Sequence, residues 1–214
     1  KMSKQPEHVD VAICGAGLAG LALARQLKLQ MPHLHILLFD RLERPLPTAC
    51  FKVGESTSEL GAYYLKEMLG LEEYLEQSHL RKLGLRMFFD KSGSQGNSKA
   101  ELGLSDFIPP HSYNIDRGVL ENDLREVIIE EGVSLQEGAH LSEIAISQGG
   151  DSLHTIRYTR NNERASVKAR WVIDATGRRR WLQKTLGISK PNNPRFSSVW
   201  FRVEARIDVD DFVN

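Results

Sequence analysis

The run Gly15-Ala16-Gly17-Leu18-Ala19-Gly20 constrains this chain more than any other feature, because of what flanks it. Val9-Asp10-Val11-Ala12-Ile13-Cys14 ahead of it is apolar and predicts a buried parallel strand. Behind it, Leu21, Ala22, Ala24 and Leu27 recur at helical spacing and predict a helix from Leu18 to Leu27 packed on that strand. A second apolar run, His35 to Phe39, ends in Asp40, twenty residues past Gly20. Strand, glycine loop, helix, strand and acid in this order form the dinucleotide-binding βαβ unit. Gly15 allows the tight turn, Gly17 lets backbone approach a pyrophosphate, and Gly20 lets the helix sit close to the strand. The N–H groups at the helix start, around Leu18 and Ala19, favour negative charge. Asp40 is placed to accept hydrogen bonds from an adenosine ribose.

Length allows one large domain or one and a half, since the chain has 214 residues. With 28 basic and 28 acidic side chains the formal net charge is zero, so no overall field draws the chain onto nucleic acid. Arg178-Arg179-Arg180, with Lys184 and Lys190 beyond, is the strongest basic run, and reads either as a phosphate contact or as a solvated loop and helix face. Of the two cysteines, Cys14 lies inside the first strand, so a disulfide is not expected and a reducing compartment fits. No stretch resembles a signal peptide or a membrane span, and no metal-ligand spacing stands out. The expectation is a cytoplasmic protein without metal, membrane or nucleic-acid partner.

Along the chain, Arg41 to Pro47 holds two prolines and predicts an extended strap. Helices are expected from about Ser58, a candidate cap, to Leu69, and from Leu71 to His79. Leu83–Phe89 reads as a strand, 91–105 as a Ser/Gly/Asn-rich loop closed by Pro109-Pro110, and His111–Ile115 as extended. Val119 to Glu131 carries Leu120, Leu124, Val127 and Ile128 on one helical face. His140–Ser147, Leu153–Arg160 and Arg164–Ala169 alternate between tight turns and predict an antiparallel meander. Trp171-Val172-Ile173 then predicts a buried parallel strand ending in Asp174-Ala175-Thr176-Gly177. A short helix, Arg180–Leu186, and an alternating strand, Val199–Ile207, follow. A lone final edge strand is a liability, so the chain reads as the amino-terminal half of a longer polypeptide.

GAGLAG, Asp40-Arg41, the run Asp116 to Leu124 around Arg117, and Asp174-Ala175-Thr176-Gly177, in this order and with a meander inserted before the last Rossmann strand, resemble the FAD-dependent oxidoreductases of the p-hydroxybenzoate hydroxylase fold. Val53-Gly54-Glu55-Ser56-Thr57 before a helix resembles their flavin-dependent halogenase branch, a segment shared with relatives that hydroxylate aromatic or protein-bound substrates. The resemblance implies an α/β fold: a Rossmann-like FAD-binding domain with a parallel sheet and three-stranded meander over 1–79 and 115–194. The first strands of a β-rich substrate domain would lie at 80–114 and 195–214. It implies that Gly15, Gly17, Leu18, Ala19 and Gly20 meet the FAD diphosphate, Asp40 the ribose and Arg41 the adenine. Arg117 would reach the flavin's phosphate or ribityl part, or else cap the following helix. Asp174, Ala175 and Gly177 would form the crossover beside adenine and diphosphate, Asp174 alternatively capping a helix. The strap, continued from Leu42 to Lys52, and the turn Gly54-Glu55-Ser56 would border the isoalloxazine.

One departure bears on the reaction. Halogenases carry, in the helix after the Gly-Glu-Ser/Ala turn, a lysine that captures hypohalous acid. The matching position here is Tyr63, and the nearest lysine, Lys66, follows almost a turn later. Lys66 could serve only if that helix were rotated or shifted; otherwise it is a solvated lysine. The resemblance therefore implies a monooxygenase that inserts oxygen into an electron-rich, aromatic or indole substrate through a flavin hydroperoxide. Alternatives are halogenation with Lys66, and a maturation factor oxidising a tryptophan of a partner protein. A separate flavin reductase is a possible partner. Glu55, His111 and Lys66 are the candidate catalytic side chains, Glu55 reading better as a hydrogen-bonding scaffold and His154 as structural.

Overall fold

In the computed structural model the described residues are 8–50, 52, 54–90, 99–103, 106, 111–150, 152–193, 197, 199–201, 203–205, 207–208 and 210. In chain order the elements are β1 (His8–Cys14), α1 (Leu18–Gln30), β2 (Ile36–Phe39), α2 (Glu59–Tyr63), a π-helical turn (Tyr64–Met68), α3 (Glu72–Ser78), β3 (Leu80–Lys82), β4 (Met87–Asp90), β5 (Lys99–Leu102) and β6 (Ser112–Asn114). Then come α4 (Arg117–Glu130), β7 (Ser134–Gln136), β8 (His140–Ala145), β9 (His154–Arg160), β10 (Glu163–Asp174), a 3-10 turn (Gly177–Arg179) and α5 (Trp181–Thr185).

Apolar β1 takes an interior place in a six-stranded sheet of order β7-β2-β1-β10-β9-β8. β7, β2, β1 and β10 run parallel, while β10, β9 and β8 form the antiparallel meander. The expected mixed α/β architecture is therefore present. On one face, Val11, Ile13, Ile36 and Leu38 pack with Leu21 and Ala24 of α1, Leu65 and Leu75, and Leu120, Leu124 and Ile128 of α4. Each leucine so buried contributes roughly 1.5–3 kcal/mol. On the other face the meander curls back, bringing Tyr158 of β9 to 5.0 Å, ring to ring, from Phe39 of β2.

Several elements differ from the sequence expectation. The third meander strand and Trp171–Ile173 are one continuous strand, β10, antiparallel to β9 over its first part and parallel to β1 over its second. No turn signal separates Ala169 from Trp171, so the backbone ladder runs on. β7 was not anticipated; its three residues complete the ladder beside β2. Leu83–Phe89 is not one strand: β3 and β4 flank four residues outside regular structure. Of the expected loop 91–105, residues 99–102 are β5, paired antiparallel with β4, and residues 91–98, 104 and 105 lie outside the described residues, as do Pro109 and Pro110. Over 199–207 the described residues form no strand, and residues 202 and 206 are not among them. The helix expected over Ser58–Leu69 begins as foreseen, with Ser58 Oγ accepting from Gly61 N–H at 3.2 Å. It widens into the π turn, where Leu69 N–H reaches Tyr64 O five residues back at 3.1 Å, and Gly70 at φ +62° ends it.

Candidate functional site

Two glycines of the loop between β1 and α1 are required by the protein itself. A Cβ on Gly15, at φ +114°, would overlap the Ala175 carbonyl, and one on Gly20 would overlap the Gly15 carbonyl. Gly17 differs. Its φ of −80° and ψ of −178° suit any residue, and a Cβ there would meet nothing within 4 Å. That open space lies at the first turn of α1, where backbone N–H groups have no partners within the helix.

Carboxylates from two other elements reach this turn. Ala16 N–H donates to Asp40 Oδ2 at 3.1 Å, and Leu18 N–H to Glu121 Oε1 at 3.2 Å. Asp40, just past β2, also accepts from Leu42 N–H through Oδ1 (2.9 Å) and from the Arg125 guanidinium through Oδ2 (2.8 Å). Arg125 is fully buried. It spans Asp40, the Ala16 and Leu42 carbonyls and Glu137, and leaves its Nε without a partner among the described residues. Each carboxylate oxygen can accept about two hydrogen bonds, so Oδ1 of Asp40 keeps an acceptor site for a hydroxyl. Arg41 beside it is exposed.

Helix α4 supplies the next station. Arg117 and Glu121 pair at i and i+4, Arg117 Nε reaching Glu121 Oε1 at 2.8 Å. Lys52, from the strap, pairs with Glu121 Oε2. The strap itself lies against α4: Leu46 N–H and O both bond the Asn122 side-chain amide at 2.9 Å. Gly118 lets it approach, since a Cβ there would overlap the Pro47 and Thr48 carbonyls.

Gly54, at φ +93°, turns the chain beside Arg117, whose Nη1 would lie 3.8 Å from a Cβ at Gly54. Glu55 follows, and its carboxylate accepts from Arg117 N–H at 3.4 Å, at the start of α4. Ser56 forms an isolated β-bridge with Asn114. Two cavities share that bridge as a wall. One, of about 920 Å³, is lined by Lys52, Gly54, Glu55, His79 and Asp116 among others. The other, of about 1270 Å³, is lined by Thr57, Glu59, Lys82, Arg86 and His111 among others.

The catalytic candidates separate. His111 belongs to the larger cavity, its Nε2 lying 3.0 Å from Glu76 Oε1 and 3.2 Å from the Tyr113 hydroxyl. Tyr113 Oη and Arg81 also donate to Glu76, at 2.5 and 2.7 Å, and these partners hold the Glu76 carboxyl down at about 2. Lys66 lines neither cavity. The π turn carries its Nζ to Glu72 Oε1 at 2.7 Å, while Tyr63 is 54% exposed. His79 lines the smaller cavity. Its Nδ1 accepts from Asp116 N–H at 3.3 Å, and burial lowers its pKa. His154 Nδ1 accepts from Ser147 N–H at 3.0 Å, within the meander.

Asp174 uses its carboxylate internally. Oδ1 accepts from Thr176 N–H at 3.0 Å and from the Thr176 hydroxyl, and Oδ2 from Leu182 N–H at 2.8 Å in α5. Burial alone would raise this carboxyl, but those hydrogen bonds outweigh it and keep it below its ordinary value. Asp174 thus holds the turn that brings Ala175 onto Gly15, while the N-cap position of α5 is Arg180. Arg179 stacks on Trp181 at 3.8 Å, and Arg178 and Arg180 are exposed.

The loop, the α1 start and Asp40 together offer an anion cradle with a hydroxyl acceptor at one end and an arginine and a lysine at the other. This donor set fits a dinucleotide diphosphate. Arg125 was missed in the sequence, as were the roles of Glu121 and Gly118 within the Asp116–Leu124 run and of Lys52 at the end of the strap. The i, i+4 charge alternation on α4 pointed to Glu121 and Arg125, and nothing in the spacing pointed to Gly118 or Lys52. Among the described residues no cluster of three His, Cys, Asp or Glu could hold a metal ion, and no helix is long and apolar enough to cross a membrane.

A family model described as FAD binding domain matches residues 8–214. A curated relative, the flavin-dependent halogenase chlA of Dictyostelium discoideum, is 25% identical over 221 aligned positions, 92% of this chain and 37% of its own length. Solved structures share the fold. A flavoprotein/dehydrogenase from Cytophaga hutchinsonii has a TM-score of 0.67 at 21% identity, over 87% of this chain and 44% of that one. The flavin-dependent brominase Bmp2 gives 0.66 at 21%, over 83% and 40%. The halogenase PltM in complex with phloroglucinol and FAD gives 0.66 at 19%, over 84% and 36%. The chain thus spans less than half the length of each.

Proposed function

This chain belongs to the FAD binding domain family, and from that premise we propose that it holds FAD in an oxidoreductase that inserts oxygen into an electron-rich aromatic substrate. The observation that carries the cofactor site is Gly17, a glycine whose conformation any residue could adopt and whose missing side chain faces open space at the start of α1. In this reading Gly15, Gly17, Leu18, Ala19 and Gly20 cradle the diphosphate, Asp40 Oδ1 accepts from the ribose, and Arg41 lies along the adenine. Arg117 reaches the flavin's phosphate or ribityl part, Asp174, Ala175 and Gly177 form the crossover, and Gly54 and Ser56 border the isoalloxazine. Residues 1–79 and 115–194 then form the FAD-binding domain, with 80–114 and 195–214 belonging to the substrate domain.

Bound FAD supplies two-electron chemistry and reactivity toward dioxygen; this chain's residues supply placement. The cavity bearing Lys52, Gly54 and Glu55 takes the flavin ring, and the cavity across the Ser56–Asn114 bridge takes the substrate ring. Glu55, engaged at Arg117 N–H, fixes the turn rather than moving a proton. Oxygen insertion is preferred because Lys66 is committed to Glu72 away from both cavities. Reducing equivalents come from a separate flavin reductase, and the substrate is a small aromatic molecule. The alternative of a protein-bound substrate rested on the resemblance to relatives that oxidise partner proteins, and none of the relatives and neighbours named above brings support for it.

Halogenation is the second reading, favoured by the halogenase relatives and by Lys82, which lines the larger cavity with its Nζ 2.9 Å from Thr57 O. The test incubates the full-length protein with reduced FAD, dioxygen and electron-rich aromatics, with and without bromide. Mass spectrometry should find one added oxygen regardless of bromide. A brominated product that disappears in Lys82→Met would replace the first reading by the second, and failure to bind FAD would remove both.

A further inference from the structure

Arg117, Glu121 and Arg125 stand at i, i+4 and i+8 on α4 and form one stripe of alternating charge facing the glycine loop. Arg125 serves Asp40 and the Ala16 carbonyl; Glu121 serves the first turn of α1. Burying a carboxylate is costly unless it is paired and hydrogen-bonded. Glu121 is 0% exposed, and it meets two cations and a backbone N–H: Arg117 and Leu18 N–H at Oε1, Lys52 at Oε2. Lys52 is anchored from the strap, Arg117 from α4, and one buried side chain ties both to α1.

Left alone, each of these long cations has rotamer freedom worth about 2 kcal/mol, which a ligand would have to remove on binding. Glu121 removes it beforehand. We infer that Glu121 is a positioning residue for cofactor binding, clamping Arg117 and Lys52 at the first turn of α1 so that two ordered cations stand where the dinucleotide diphosphate arrives. The inference rests on the diphosphate reading of the glycine loop given above.

Coulomb attraction and clamping predict opposite signs. Replacing Glu121 by glutamine raises the local charge, which by attraction alone tightens binding of an anion. If Glu121 acts by ordering its neighbours, the same change weakens binding despite the gained charge. FAD and ADP are titrated by flavin fluorescence and calorimetry into the purified full-length protein and its variants, with far-UV circular dichroism as the fold control. Glu121→Gln should raise Kd for both ligands about ten-fold or more, the loss of one or two charge-assisted contacts. Adding Lys52→Gln to Glu121→Gln should cost little further, because the lysine has already lost its anchor, whereas Lys52→Gln alone should be costly. Unchanged or tighter binding in Glu121→Gln, or strictly additive losses in the double variant, overturns the inference. Should Glu121→Gln fail to fold, Glu121→Asp carries the test. It keeps the charge but shortens the reach, so clamping predicts weaker binding and wild-type affinity overturns it. Absence of FAD and ADP binding in the unaltered protein instead overturns the diphosphate reading itself.

Discussion

Gly17 and Gly20 are two residues of one motif, yet replacing each by alanine should have separable consequences. At Gly17 the backbone is extended and the space beyond Cα is open. Alanine there strains nothing and restricts the unfolded chain, so stability should stay level or rise by about 0.4–1 kcal/mol. Its methyl group fills the space that a diphosphate needs against the first turn of α1. Losing close approach to one or two backbone N–H donors of an ionised group removes about 3 kcal/mol or more, roughly a hundred-fold in Kd.

At Gly20 the added methyl would run into the backbone carbonyl of Gly15, with the Ala175 Cβ in contact beyond it. Alanine's helix propensity is worth about 1 kcal/mol over glycine, but separating α1 from the loop costs typically 1–3 kcal/mol or more. Gly20→Ala should therefore lower the unfolding midpoint and weaken FAD together. The assay pairs a flavin fluorescence titration with denaturant unfolding of the same samples. Gly17→Ala binding FAD as tightly as the unaltered protein, at undiminished stability, would refute the assignment of that space to the cofactor.

Arg125→Met should destabilise the protein by about 3–5 kcal/mol in denaturant unfolding, because it strands the Asp40 and Glu137 carboxylates beside a buried site. Glu76 is held at about 2, against an ordinary 4.5, by Tyr113, His111 and Arg81. A depressed carboxyl stabilises the fold above its ordinary value and loses that contribution as pH falls through the depressed one, so unfolding free energy should decline between 4.5 and about 2. Glu76→Gln should flatten that decline, and an unchanged slope would exclude the cluster as its source. Burial pushes the Cys14 thiol up to about 12, so a thiol reagent at neutral pH should label half-buried Cys50 and spare Cys14 until the protein unfolds, as peptide mass mapping will read.

The β1–loop–α1–β2 unit was legible because its constraints are local. Glycine tolerance, apolar runs and a terminal acid act over a few residues each, and the observed registers follow them. Elements set by distant partners were not. β7 is three residues long and exists because β2 offers an unpaired edge. β10 passes from an antiparallel to a parallel neighbour without any break that composition would mark. The excursion at 80–114 was misdivided, since its two small ladders pair segments that are weak strands alone.

Helix α4 shows why the candidate site was only half visible. Leu120, Leu124 and Ile128 announce one buried stripe, and the charges one position on, Glu121 and Arg125, have the pattern of a helix's wet side. Both stripes are buried, because the leucines face α1 while Glu121 and Arg125 lie under the glycine loop and the strap. A helix that buries charge must have each charge met, and here each partner is held by another segment: Asp40 after β2, Lys52 in the strap, Glu137 after β7. None of those pairings follows from spacing along the sequence. The glycines mark where the loop runs, but the side chains that surround it are brought there by α4, and a substitution on that helix reaches the cradle as directly as one within the loop.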